Sequence, residues 1–91
     1  MKPGRKLVEQ GSAQCSDADL LAILVGSGGR GYSAEDVAQA ILERYGSLAA
    51  IMDAPLRDLA SIRGVGPVKA IRIAAAYELV SRMVRHLENN T

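Results

Sequence analysis

Leu59-Ala60-Ser61-Ile62-Arg63-Gly64-Val65-Gly66, running straight into Pro67-Val68-Lys69-Ala70, reads as the end of one helix, a turn that uses glycine twice, and the start of another helix. The pattern occurs twice. Leu21-Ala22-Ile23-Leu24-Val25-Gly26-Ser27-Gly28 superimposes on it without a gap as Leu-Ala-x-aliphatic-x-Gly-x-Gly, 38 positions earlier. The copies differ in their turns. Gly29-Arg30-Gly31-Tyr32 separates the first from the capping hydroxyl of Ser33, whereas Gly66 of the second leads directly into Pro67. Two helix-turn-helix units in tandem predict an all-α domain with a pseudo-two-fold arrangement.

The flanking residues extend this reading. Ser16-Asp17-Ala18-Asp19 supplies a cap and early acids for a helix carrying Leu20, Leu21, Ile23, Leu24 and Val25. Ser33-Ala34-Glu35-Asp36 repeats the start signal, with Val37, Ile41 and Tyr45 on one face and Gly46 as a left-handed stop. Ser47 opens a short connector with Leu48, Ile51 and Met52, and Pro55 opens the next helix at its first turn. From Pro67 the longest helix runs to about His86, with Ala70, Ile73, Tyr77, Val80 and Val84 as its apolar face. The expectation is five helices in one domain: hairpin one at about 17–45, a connector helix at about 48–53, hairpin two at about 56–86, and an ordered core at about 7–87. With no Phe or Trp, that core must come from Leu, Ile, Val and Ala.

Composition removes most catalytic and membrane classes from consideration. Ninety-one residues leave no room for separate cofactor and substrate domains. No apolar run approaches the roughly 20 residues that span a bilayer, and the basic start Met1–Lys6 lacks the apolar middle of a secretory signal, so no membrane association and a cytoplasmic location are expected. Cys15 is alone and His86 is the single imidazole, so neither an internal disulfide nor a His/Cys metal cage is expected, and no cofactor. His86, near a helix end, is read as complementing the helix dipole, and Cys15 as a packing residue.

The second turn carries the chemistry. Two glycines allow conformations closed to other residues and leave amides accessible to a large anion, while the positive end of the helix beginning at Pro67 points to the same place. Phosphate is the natural occupant. The candidate contacts are Gly64, Val65, Gly66, Val68, Lys69 and Arg72, with Arg30 and Arg63 as secondary cations. Lys69 and Arg72 are both expected on the solvated side of the helix. The first turn is read as serving mainly the fold, since Glu35 and Asp36 follow it. Residues 1–53 carry a net charge of −2 and residues 54–91 one of +3, an asymmetry hidden in the overall +1. Arg82 and Arg85 are read as a solvated helix face.

Leu59, Ile62, Gly64, Gly66 and Ala70 fill the helix-hairpin-helix pattern aliphatic-x-x-aliphatic-x-Gly-x-Gly-x-x-x-Ala. Read end to end, through Ser16–Leu24, Gly26-Ser27-Gly28 with Gly31 and Ser33, Leu42–Leu48 and Ile62–Ala70, the chain resembles the N-terminal domain of the bacterial RadC family. The resemblance implies a paired helix-hairpin-helix architecture like the SAM-like second domain of RuvA, and a DNA-repair role. It further implies a C-terminal JAB/MPN metallopeptidase-like domain, whose His-x-His zinc motif is not in these residues. Where the family has Pro-Arg-Glu-Lys/Arg-Leu, this chain has Pro3-Gly4-Arg5-Lys6-Leu7. The leading expectation is a non-enzymatic module that binds double-stranded or branched DNA weakly and without sequence preference. A scaffold docking a protein partner or the JAB/MPN domain is the alternative. A glycosylase or lyase would need a catalytic Asp or an activated Lys in a pocket, and the sequence after Gly66 offers neither.

Overall fold

The computed structural model describes residues 1–90 and is all helical in its regular structure: α1 (Pro3–Gln10), α2 (Asp17–Val25), α3 (Ala34–Tyr45), α4 (Leu48–Ile51), α5 (Leu56–Ala60) and α6 (Gly66–Asn89), with a 3₁₀ turn at Ser12–Gln14. No strand occurs among the described residues, only an isolated bridge between Gly29 and Tyr32. Six helices stand where five were expected. The addition is α1, in the segment read as a basic arm. Pro3 occupies its first turn and is buried, and Lys6 Nζ donates to Asp19 Oδ2 at 3.0 Å, tying α1 to the start of α2.

The caps form as their sequences dictate. Ser16 Oγ accepts the Asp19 amide while the Asp19 carboxylate accepts the Ser16 amide, and Ser33 and Asp36 repeat that reciprocal pair. Ser47 Oγ accepts the Ala50 amide. Gly46 ends α3 in the left-handed region at φ 88°. The core is aliphatic throughout: Leu21, Ala22 and Val25 of α2, Val37, Ala38 and Ile41 of α3, Ile51, Leu59, Val65, and Ala70 and Ile73 of α6. α2 packs chiefly on α3 and α5 on α6, and α2 also touches α6, which brings the two glycine turns to one side of the molecule.

The expected apolar face of α6 is buried only in its first half. Ala70 and Ile73 are fully enclosed and Tyr77 Oη donates to the Leu48 carbonyl at 2.8 Å, but Val80 and Val84 are 41% and 45% exposed. The helix outruns α4 and α5, so no element among the described residues covers its C-terminal apolar residues.

Candidate nucleic-acid interface

Three features build the second turn. Val65, at its centre, is 4% exposed and anchors it in the core, and its amide donates to the Ile62 carbonyl at 3.0 Å. That amide was expected to face an anion and is instead spent in closing the turn. Gly64 has φ +90°, and a side chain there would begin 2.5 Å from Val37 Cγ2 and 2.7 Å from Tyr32 Cε2. Glycine is therefore required twice over, by conformation and by packing. Gly66, at φ +65°, faces open space.

Among the described residues, the amides of Gly64, Gly66, Val68 and Lys69 donate to no group of the turn or of another element. α6 begins at Gly66, with Pro67 contributing no N–H, so its first turn presents unsatisfied donors beside an exposed Val68.

The cations behave differently from one another. Arg72 is exposed and without a hydrogen-bonding partner among the described residues, and its Nη1 lies 4.0 Å from where a side chain on Gly26 would begin. Lys69 is half-buried rather than solvated. Its ammonium donates to the Ser27 carbonyl at 2.5 Å and to the Gly64 carbonyl at 3.2 Å, so it joins the two turns. Arg63 stacks over the Tyr32 ring, 4.8 Å from its centroid. Arg30 is exposed in the first turn.

The first turn is held by its own packing. A side chain on Gly28 would overlap the Tyr32 carbonyl oxygen, and one on Gly29 the Tyr32 ring. A groove of about 520 Å³ opens beside this turn, lined by residues of opposite charge, Lys2 and Glu35. Ser27 and Tyr32 were missed by the sequence reading. Tyr32 had a signal, an aromatic directly ahead of a helix cap; the Ser27 contribution is a backbone carbonyl and had none.

Ion pairs consume Arg5, Lys6, Arg44, Arg82 and Arg85, the last two both on Glu78. Of the six cations without an ion pair among the described residues, Arg30, Arg63, Lys69 and Arg72 lie on or beside the two turns, Lys2 lines the groove beside the first, and Arg57 lies elsewhere. No three His, Cys, Asp or Glu residues among the described residues are placed to hold a metal, and no helix is long and apolar enough to cross a membrane.

Residues 1–71 match the family described as UPF0758 N-terminal. The chain is 41% identical over 80 residues to a UPF0758 protein of Paraburkholderia xenovorans, covering 88% of this chain and 32% of the relative. It is 46% identical over 81 residues to one of Xanthomonas campestris pv. campestris, covering 89% and 36%, and 43% identical over 83 residues to one of Shewanella loihica, covering 91% and 37%. It thus spans about a third of the length of these relatives. No solved structure matches it.

Proposed function

Because the chain belongs to the UPF0758 family, which is the RadC family, we propose that it is a paired helix-hairpin-helix module, related in architecture to the second domain of RuvA, that binds DNA backbone phosphates without reading sequence. It is non-enzymatic and acts in the cytoplasm, targeting the remainder of a longer protein to double-stranded or branched DNA. One observation carries this reading: Arg63, Lys69 and Arg72, none of them ion-paired among the described residues, belong to the same turn and helix start as the open amides of Gly64, Gly66 and Val68, whereas five of the other eight cations are paired with acids. Amides and guanidinium groups suit phosphate oxygens and carry no information about bases. Arg72 is the principal cationic contact, with Arg63 and Arg30 flanking, and Lys69 adds charge at the same place.

Amide shifts on titration with a short duplex at low salt test it. The largest changes are expected at Gly64, Gly66, Val68, Lys69 and Arg72; equal or larger changes at Gly26–Ser33 would give the first turn the principal role. A docking scaffold is the second reading, and it is favoured by the exposed Leu79, Met83 and Leu87 on α6. Absence of DNA binding at low salt decides for that alternative.

A further inference from the structure

We propose that Lys69 is a positioning residue: its ammonium latches the Ser27 carbonyl of the first turn to the Gly64 carbonyl of the second, and so fixes the direction in which the amides of Gly64 and Gly66 face. What those amides bind rests on the function proposed above; the latch does not.

The peptide unit between Gly64 and Val65 is held at both ends. Its carbonyl accepts from Lys69 Nζ at 3.2 Å, and its N–H, that of Val65, donates to Ile62 at 3.0 Å. This pinned unit sits between the two open amides. Glycine on one side makes rotation of such a unit cheap, so something must hold it. The turn's own bond holds the N–H end, and Lys69 holds the carbonyl end while reaching 42 residues back to Ser27. An ammonium has three donors, and two are directed inward to backbone carbonyls. Lysine is ordinarily a solvated residue, yet this one is half-buried. Arg72, three residues on, is exposed and unpartnered, and is the side chain left to meet a phosphate.

The latch also gives the first turn a role although its neighbouring acids repel phosphate. Its Ser27 carbonyl anchors Lys69, and its Tyr32 ring packs against Gly64. The first turn is a buttress for the second.

Hydrogen exchange on the 91-residue chain without DNA tests the latch. Lys69→Met should accelerate exchange of the Val65 and Gly29 amides about tenfold relative to the core amides of Ile41 and Ile73, the scale expected for losing charge-assisted hydrogen bonds. Lys69→Arg keeps the charge and supplies at least as many donors on a stem long enough for both carbonyls, and should stay within about threefold of wild type. With duplex DNA, Lys69→Met should lose the shifts at Gly64 and Gly66 while keeping those at Arg72. Arg72→Ala should weaken binding with free-state exchange unchanged. Val65 and Gly29 exchange unaltered in Lys69→Met, acceleration no greater than in the core, or an Arg variant behaving like the Met variant each overturn the latch. If the wild-type chain binds no DNA, the proposed function fails, and the exchange comparison still decides the role of Lys69.

Discussion

Gly64 and Gly66 occupy equivalent places in a sequence pattern but do different physical work. Both have positive φ, so any substitution costs about 1–2 kcal/mol in backbone conformation. At Gly64 a Cβ would also meet Val37 and Tyr32, adding an overpacking cost of about 1–3 kcal/mol. Urea denaturation should therefore place Gly64→Ala about 2–5 kcal/mol below wild type and Gly66→Ala only about 1–2 kcal/mol below; equal losses would mean that the turn relaxes away from Tyr32. Gly66→Val should weaken phosphate approach beyond its cost in folding, because Gly66 faces open space. The need for glycine at this turn was legible from Leu59–Ala70. The difference between the two glycines was not, because Val37 and Tyr32 arrive from another part of the chain. Lys69 and Arg72 illustrate the same limit. Their spacing of three residues predicts two solvated cations, but the partner that draws Lys69 inward is a carbonyl of the first turn.

At the scale of elements, α3 is clamped to α5 at its last turn. Arg44 forms an ion pair with Asp58, and Tyr45 Oη donates to the same carboxylate at 2.5 Å. The Arg44 hydrogen bond, followed by that of Tyr45, holds the Asp58 carboxyl below its usual range; the Ser16 amide, followed by Lys6, does the same for Asp19. A carboxylate whose pKa is lowered by folding stabilises the protein above its unfolded value near 4, and that contribution is lost as pH falls through the lowered folded value. Thermal unfolding followed by circular dichroism should give a level midpoint from pH 7 to 5 and a decline below about pH 4, with a shallower decline in Asp58→Asn. An unchanged acid limb in that variant would remove the clamp from the account. The far end of α6 is the opposite case. Beyond Tyr77 the helix has little to pack on, and helical propensity alone is marginal over such a length, so amides 84–90 should exchange far faster than that of Ile73. Deleting residues 83–91 should cost less than about 1 kcal/mol. The caps at Ser16, Ser33 and Ser47 were legible because their bonds are local. The apolar face carrying Val80 and Val84 was legible but its exposure was not, because periodicity identifies an apolar face, not how far its covering helices extend; α1 escapes the pattern because Leu7 and Val8 are its only aliphatic residues and its stabilising partner, Asp19, lies in α2.

For the molecule as a whole, the question is how much affinity so small a basic surface can supply. The net charge is only +1, and residues 1–53 are net acidic, so long-range attraction to DNA is weak and the proposed binding would have to come from the turn itself. In the proposed function, one exposed guanidinium at Arg72, a few open amides and flanking Arg63 and Arg30 would engage one or two phosphates of a backbone. Binding at that scale falls in the nonspecific range, with a Kd of about 10⁻⁴ to 10⁻⁶ M at physiological salt and a log–log salt slope near −2. Duplexes of unrelated sequence should bind equally, because the proposed contacts are to phosphates, which carry no sequence information. Arg72→Ala should lower affinity by the same factor for every duplex and flatten the slope by about one, and replacing Lys69 together with Arg72 by Ala should weaken binding further. The check is fluorescence anisotropy across a salt series, with the variants compared at a temperature where all are folded. A slope much steeper than −2 would mean that the first turn and Arg30 share the contact, and a double variant that binds as tightly as wild type would remove phosphate binding from these turns and leave the exposed apolar end of α6 as the working surface.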